Sequence, residues 1–298
     1  MDAPIGLARA LLPLTVALRV RIPAEHPSVA VLGDERMGSG VLVARDLVLT
    51  VNYIVIGAKG ITVSLMDGHE VPGEAVAQDY ESGIALVRIP ATETSGASLG
   101  DSRRLSRGQA VFILASADAT ERRVSDGVIT DLGPFDAYWE YMLEAAIQTS
   151  AVNPGLGGGP LFDRKGRLIG ITSLNLGQMA RFSLAVPIHH FLESRDALLR
   201  HGARRGAVRR AWVGVYVEPT PAGIMVAGLV PDGPAALAGV EEGDVILAVN
   251  AQEAMTRPEF YRTLWANPAG SAVRLGILRD AERLTLEVAS MDRAEFYR

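Results

Sequence analysis

The chain has 298 residues, of which 48% are hydrophobic and 21% are charged, a composition typical of a globular protein with room for two hydrophobic cores. It contains no cysteine, which excludes disulfides, zinc–thiolate sites, iron–sulfur clusters and a cysteine nucleophile. Its formal net charge of −5 argues against general nucleic-acid binding, so no nucleic-acid partner is expected.

The N-terminal segment Pro4–Leu18 is apolar but is interrupted by Arg9 and Pro13. It lacks the basic leader and the small-residue cleavage site of a signal peptide, so we expect a short helix or strand that closes the first domain. The sequence as written then predicts a cytoplasmic protein, and a periplasmic one if a leader has been removed. No apolar run reaches the roughly 18 residues that cross a bilayer, so no membrane span is expected.

Short β-type runs separated by Gly, Asp and Pro extend from residue 14 to about residue 186 and predict an all-β barrel or sandwich. Examples of the predicted strands are Thr15–Ile22, Gly40–Ala44, Leu47–Val51, Ile61–Leu65, Ile84–Ile89, Ala110–Ala115, Ala145–Thr149 and Arg167–Leu174. A helix is predicted over Pro187–His201, because a proline opens it, apolar residues recur at helical spacing and Gly202 follows it.

Residues 203–210 are basic and contain glycine. We interpret them as a solvated linker, with a patch for an anionic partner as the alternative. They separate a first domain, residues 1–202, from a second domain, residues 211–292. The pattern of the second domain predicts strand, strand, short helix, strand, longer helix and two strands, and about 80 residues is enough for a small domain.

A glycine-rich loop, Asn153–Leu161, lies between two predicted strands and has glycine at four of the five positions 155–159. Because glycine adopts positive φ easily, successive N–H groups in such a loop can converge on an anion. A tight loop without a ligand is the alternative. A phosphate loop is excluded, because no lysine followed by serine or threonine opens a helix after it.

This loop resembles the nucleophile loop of HtrA/Deg-type, trypsin-like serine proteases, whose pattern is Asn-Pro-Gly-Asn-Ser-Gly-Gly-Pro-Leu. Gly38–Val41 leading to Leu49–Val55 resembles the segment that presents the catalytic histidine in that family, and Asp79–Val87 resembles the segment that presents the catalytic aspartate. The resemblance implies a mainly β fold, a trypsin-like double six-stranded β-barrel followed by a small α+β PDZ domain.

The three positions that match the catalytic triad of the family hold other residues, Tyr53 for the histidine, Gly83 for the aspartate and Gly157 for the serine. Glycine has no oxygen that could attack a carbonyl carbon, and a tyrosine hydroxyl with a pKa of about 10 is a poor base at neutral pH. We therefore expect no catalytic residues and a catalytically inactive pseudoenzyme. The alternative is an active serine endopeptidase-like hydrolase with a rearranged site.

Residues that could replace the triad are few. Ser150, Asp79, Glu81 and Ser82 lie in the right segments, but a nucleophile also needs a base within hydrogen-bond reach. The five histidines are all expected at the surface or in loops, namely His26, His69, His189, His190 and His201. Adjacent histidines on a helix point about 100° apart and chelate poorly, so neither a metal nor a cofactor is expected.

Gly155 and Gly157 match the positions whose backbone amides form the oxyanion hole in active members of the family. One hypothesis is a cleft that still holds a peptide carbonyl or a carboxylate without cutting it. The other is a loop that only the fold requires.

The second domain resembles the circularly permuted PDZ domains that follow HtrA protease domains, on the residues Leu229–Asn250. Trp212, Val213, Gly214 and Val215 resemble the carboxylate-binding loop, whose exposed amides receive a peptide C-terminus. The groove is then expected to be lined by Phe260, Tyr261 and Leu264, with a core role as the alternative for each of the three. Arg209 and Arg210 precede the loop and are expected to favour an anionic peptide end.

The resemblance implies a protein that binds peptides or protein C-termini through its PDZ groove and acts as an adaptor, scaffold or regulator. An active HtrA-type relative is one partner considered, and assembly into a homo-oligomer is left open.

Overall fold

The computed structural model describes residues 3–175, 182–203 and 209–298, and these residues divide into two compact units. The first comprises Met1–Gly133 and Glu144–Arg205, and the second comprises Pro134–Leu143 and Gly206–Arg298. The structure thus assigns Pro134–Leu143 to the second unit, whereas the sequence placed this segment in the first domain. Residues 204–208 of the predicted linker lie outside the described residues, and the predicted domain limits stay predictions.

The first unit begins with a six-stranded closed barrel in the order β1-β2-β3-β6-β5-β4. Its strands are β1 (Thr15–Arg21), β2 (Glu35–Ala44), β3 (Leu47–Val51), β4 (Gly60–Ser64), β5 (Glu70–Asp79) and β6 (Ile84–Arg88). Three helices accompany the barrel, α1 (Ala3–Leu11), α2 (Val29–Leu32) and α3 (Asn52–Val55). All five residues of β3 are buried, so both faces of this strand are covered.

A second closed barrel has the order β10-β11-β12-β9-β8-β7. Its strands are β7 (Ala110–Ser116), β8 (Arg122–Ala137), β9 (Tyr141–Thr149), β10 (Pro160–Asp163), β11 (Leu168–Asn175) and β12 (Ser183–Pro187). The two barrels confirm the predicted fold of the first domain. Helix α4 (His189–His201) follows them and ends at Gly202, whose φ is 71°. It starts two residues later than predicted, because Pro187 pairs with Gly170 in the β11–β12 ladder.

The sheet of the second unit has the order β13-β14-β15-β17-β18, with the short strand β16 paired to β15. The strands are β13 (Val215–Thr220), β14 (Gly223–Leu229), β15 (Val245–Val249), β16 (Gln252–Glu253), β17 (Ala272–Arg279) and β18 (Glu282–Ala289). The helices are α5 (Pro234–Leu237), α6 (Arg257–Trp265) and α7 (Arg293–Phe296). The observed order agrees with the predicted one and adds β16 and α7.

A buried apolar cluster holds the second unit together. It includes Val226 of β14, Ile246 of β15 and Leu275 of β17, together with Met142 from Pro134–Leu143, here called the inserted segment. Helix α6 is fixed at its start by a capping box, in which the Thr256 side chain accepts from the N–H of Glu259 and the Glu259 side chain accepts from the N–H of Thr256. Because Met142 belongs to the apolar cluster, the inserted segment is part of the core of this unit.

Within the described ranges, no helix is both long and apolar enough to cross a membrane.

Candidate functional site

In the first unit, the hydroxyl group of Tyr53 lies directly against Gly157. Tyr53 lies on α3 directly after β3, and its hydroxyl donates to the carbonyl oxygen of Ser173 over 2.8 Å. A Cβ atom added at Gly157 would overlap the Tyr53 hydroxyl oxygen. Burial raises the pKa of Tyr53 to about 12. The tyrosine hydroxyl thus fills the space of a side chain at position 157, and it is a still weaker acid than a free tyrosine.

Gly83 lies close to the same helix. Its carbonyl oxygen accepts from the N–H of Asn52 over 2.8 Å, and its own N–H donates to the carbonyl oxygen of Asp79 over 2.8 Å. Its φ of 79° is a conformation that most side chains avoid. The structure therefore brings Tyr53 near Gly83 and Gly157, and their match to the catalytic triad stays a prediction.

Three amides of the glycine-rich loop donate within the protein. The N–H of Gly155 points to Asn153 Oδ1 at 3.3 Å, that of Leu156 to the carbonyl oxygen of Ser116 at 2.8 Å and that of Gly158 to the carbonyl oxygen of Thr172 at 2.7 Å. Gly158 has a φ of 89°, and a Cβ atom there would overlap the carbonyl oxygen of Ser39. These three N–H groups thus point to three different acceptors, and the oxyanion role of Gly155 and Gly157 stays a prediction.

The residues considered as replacements for the triad make local hydrogen bonds. Ser82 Oγ donates to Asp79 Oδ2 over 2.6 Å, and the N–H of Glu81 donates to Asp79 Oδ1. Ser150 Oγ accepts from the N–H of Val128. These bonds close turns and strand ends in the barrels.

Two serine–histidine pairs occur elsewhere in the first unit. His26 Nδ1 lies 2.8 Å from Ser28 Oγ, and His189 Nδ1 lies 2.9 Å from Ser102 Oγ. Ser28 is 2% exposed and Ser102 is 7% exposed. The pairing of a hydroxyl with an imidazole is the arrangement that activates a serine, so both pairs are candidates for a rearranged site.

His69 and His190 make other contacts. His69 is exposed and pairs with Asp67 at 2.9 Å; this carboxylate raises the pKa of His69. The rings of His189 and His190 lie 4.4 Å apart between centroids, so they do not diverge as expected. Among the residues that the structure describes, no group of three or more His, Asp or Glu side chains could hold a metal ion.

In the second unit, the loop Trp212–Val215, here called the carboxylate loop, does receive a carboxylate. Glu140 Oε1 accepts from the N–H of Gly214 over 2.6 Å and from the N–H of Val215 over 2.9 Å, and Oε2 lies 3.5 Å from the N–H of Val213. The sequence predicted these amides to be exposed. They are instead engaged by a side chain from the inserted segment.

The backbone around Glu140 extends this interaction along β13. The N–H of Val217 donates to the carbonyl oxygen of Tyr138 over 2.8 Å. The Tyr261 hydroxyl of α6 donates to the carbonyl oxygen of Ala137 over 2.5 Å and accepts from the N–H of Glu140 over 3.1 Å. We call residues 136–140 the internal segment, which thus bonds to both β13 and α6.

Charged side chains also contact the internal segment. Asp136 pairs with Arg257 of α6 at 2.7 Å, and Arg293 donates to the carbonyl oxygen of Glu140 over 3.3 Å. Burial raises the pKa of Glu140 from its ordinary 4.5 to about 7, although the amides of residues 213–215 and the charge of Arg293 lower it. Glu140 is 4% exposed and has a φ of 52°.

The predicted groove residues lie deep in the second unit. Phe260, Tyr261 and Leu264 have no exposed surface and belong to its apolar core, so their groove role stays a prediction, with Tyr261 alone seen to bond to the internal segment. Arg209 pairs with Asp292 and Glu295, and Arg210 stacks over the ring of Trp265 at 4.1 Å. In this structure both cations have partners other than a peptide end.

Glu140 is the functional residue that the sequence did not point to. A usable signal lies in the turn that contains it, Tyr138–Glu140. Exposed hairpin turns are rich in Gly, Asn, Asp and Pro, whereas this turn holds two aromatic residues. Such a turn indicates contact with another part of the protein.

The fold combines a two-barrel domain with a smaller domain built from one sheet and three helices. Residues 38–171 match the model of the trypsin-like peptidase domain family, and residues 211–289 match that of the PDZ domain family. Together with the similarities below, these matches show that the chain belongs to the HtrA-type serine protease family with a C-terminal PDZ domain.

Two bacterial relatives illustrate the sequence similarity. A probable periplasmic serine endoprotease, DegP-like, from Halomonas elongata is 33% identical over 276 residues, which cover 86% of this chain and 56% of the relative. The one from Pseudomonas savastanoi is 31% identical over 291 residues, which cover 89% and 59%. The chain therefore spans little more than half the length of these relatives.

Two solved protease structures are similar to this chain over almost all of its length. The HtrA-type protease AlgW with decapeptide is 27% identical, with a TM-score of 0.59, over 97% of this chain and 98% of that chain. The serine endoprotease from Yersinia pestis is 25% identical, with a TM-score of 0.58, over 97% of both chains.

The comparisons correct the expectation of a pseudoenzyme, which is wrong because relatives about 30% identical over most of the chain are named serine endoproteases. The expectation fails for a physical reason. The substituted positions exclude only a catalytic triad placed as in the family, whereas serine–histidine pairs exist elsewhere in the first unit. The expected cytoplasmic location is likewise unsupported, since both relatives are named periplasmic.

Proposed function

We propose that this chain binds the carboxyl ends of peptides through its carboxylate loop. The observation that carries the proposal is the convergence of three amides, those of Val213, Gly214 and Val215, on the single carboxylate of Glu140. Backbone amides that already hold a buried carboxylate have the geometry to hold the α-carboxylate of a peptide. The PDZ match and the peptide in the AlgW structure support the same function.

The test is a display screen of the full chain against peptides with free carboxyl ends, followed by titration calorimetry of the peptides selected. We expect a consensus in the last few residues and a large loss of affinity when the terminal carboxylate is amidated. A screen that yields no C-terminal consensus, or peptides that bind equally well as amides, would contradict the proposal.

We also propose, on the names of the relatives, that the chain is a serine endopeptidase with a rearranged site. Because Gly157 supplies no nucleophile, the attacking oxygen has to come from another position. Ser28 with His26 and Ser102 with His189 are the candidate pairs, since each places a hydroxyl within 3 Å of an imidazole nitrogen. Both serines are nearly buried, so a substrate reaches either one only after local opening.

Casein hydrolysis and labelling by a serine-directed covalent probe test this second proposal. We expect turnover and labelling by the wild-type chain, both lost in either Ser28→Ala or Ser102→Ala and kept in Ser106→Ala, which changes an exposed serine. The triple variant Tyr53→His, Gly83→Asp, Gly157→Ser provides the comparison with the triad of the family. No turnover and no labelling in the wild-type chain would contradict the proposal.

The adaptor, scaffold or regulator role stays a prediction. For the compartment, the printed names of the relatives support the periplasm, which we include in the proposal.

A further inference from the structure

The internal segment lies on β13 with the register of a bound peptide. The side-chain carboxylate of Glu140 accepts from the N–H of Val215. The carbonyl oxygen of Tyr138, two residues earlier, accepts from the N–H of Val217, two residues later. Equal separations in opposite directions are the pattern of antiparallel pairing, in which an added strand joins a sheet edge. The side-chain carboxylate of Glu140 then takes the place that a peptide would give to its terminal carboxylate.

We propose that the internal segment is a built-in ligand of the carboxylate loop, so that a peptide carboxyl end binds only by displacing it. This inference rests on the proposed peptide-binding function and adds its regulation. The amides of Gly214 and Val215 both donate to Glu140 Oε1 at hydrogen-bond distance, so a second carboxylate cannot occupy the same position.

The internal segment is held in place at several points. Tyr261 bridges the carbonyl oxygen of Ala137 and the N–H of Glu140, and Arg257 pairs with Asp136. Because the segment is part of the same chain, its effective concentration at the loop is high, which weakens the binding of any free peptide.

We call the state in which Glu140 occupies the carboxylate loop the closed form. Two features of Glu140 raise the free energy of this form and so make the internal segment easier to displace. Its φ of 52° lies in the left-handed region, which is unfavourable for a residue other than glycine. Its carboxyl group is also buried, and the desolvation is strong enough to raise its pKa to about 7. A residue that served only to cap the loop would not need to combine both costs.

The experiment compares the full chain with its Glu140→Ala variant. The probe is a synthetic peptide of residues 133–139 followed by alanine with a free carboxyl end, which places tyrosine two residues before the terminus as in the internal segment. The amidated peptide is the ligand control. Glu253→Ala is the matched protein control, because Glu253 is an exposed glutamate on β16 of the same unit.

We expect Glu140→Ala to bind the free-acid peptide about 10- to 100-fold more tightly than wild type. This gain corresponds to an open form, in which the carboxylate loop is empty, that rises from a population of about 1–10% in wild type to a majority in the variant. The amidated peptide should show no such gain, and Glu253→Ala should behave as wild type. Glu140→Gln keeps one acceptor oxygen and should give an intermediate affinity.

Equal affinity of Glu140→Ala and wild type for the free-acid peptide would overturn this inference alone and leave peptide binding intact. Binding by neither protein would overturn the proposed function and the inference with it. If Glu140→Ala does not fold, hydrogen exchange on the wild-type chain decides. Saturating peptide should then deprotect the amide of Glu140, which donates to Tyr261 in the closed form, and unchanged protection in the peptide complex would overturn the inference.

Discussion

Glu140 Oε1 lies 2.6 Å from the backbone nitrogen of Gly214, 74 residues further along the chain. Gly214 has a φ of 79°, and this left-handed conformation helps its N–H point in the same direction as that of Val215. The carboxylate loop is therefore formed by a local glycine conformation, and its occupant comes from a distant hairpin turn.

The buried carboxyl group makes the stability of the second unit depend on pH. Since the folded pKa of Glu140, about 7, lies above its ordinary 4.5, the proton stabilises the fold below pH 4.5, and this contribution is lost as the pH rises through 7. The groups that face Glu140 are Arg293, Tyr261 and Tyr216; burial raises the pKa of both tyrosines, so neither tyrosine loses its proton in this range. The free energy of unfolding of wild type should therefore fall relative to Glu140→Gln, by as much as about 3 kcal/mol.

Urea unfolding followed by tryptophan fluorescence measures this difference, because all three tryptophans, Trp139, Trp212 and Trp265, lie in the second unit. The exposed variant Glu253→Gln should show no pH-dependent difference from wild type. A constant difference between wild type and Glu140→Gln from pH 4.5 to 7.5 would show that the burial of the carboxyl group has no energetic effect.

Replacing Tyr261 by phenylalanine should loosen the internal segment. The change removes the hydroxyl that bonds to Ala137 and Glu140, at a cost of about 1–3 kcal/mol in the free energy of unfolding. Exchange of the Glu140 amide should accelerate, and the free-acid peptide should bind more tightly than to wild type. Tyr138→Phe is the control, because the Tyr138 side chain is exposed. If Tyr261→Phe leaves amide exchange and peptide affinity unchanged, the bridge does not hold the segment.

A side chain at position 157 should conflict with Tyr53. Gly157→Ala places a Cβ atom against the Tyr53 hydroxyl, and overpacking of this kind costs about 1–3 kcal/mol. In the double variant Tyr53→Ala, Gly157→Ala the clash is absent, so the two changes should cost less together than the sum of the single changes. Urea unfolding followed by circular dichroism gives the four values. Additive costs would mean that the two residues do not compete for space.

Much of the first unit follows from local sequence. Strand β3 was predicted with its observed limits, Leu47–Val51, because an unbroken apolar run between turn residues matches a strand buried on both faces. The sequence does not single out strand β8, since much of Arg122–Ala137 is exposed and carries little apolar signal.

The candidate peptide site was predictable only in part. The conformation of the Trp212–Val215 loop depends on its own glycine and could be inferred from the resemblance. The contact with Glu140 could not, because it joins residues from distant parts of the chain and depends on tertiary packing. The aromatic turn Tyr138–Glu140 indicates a contact with another part of the protein, but the local pattern does not identify the partner.

The measurement that tests the central claim most directly is nuclear magnetic resonance of the ¹⁵N-labelled full chain during titration with the free-acid peptide. The backbone amide signals of Gly214 and Val215 should shift with the same dissociation constant as the calorimetric binding, and the amidated peptide should leave them in place. Peptide binding that leaves both signals unmoved would contradict the assignment of this loop as the carboxylate site.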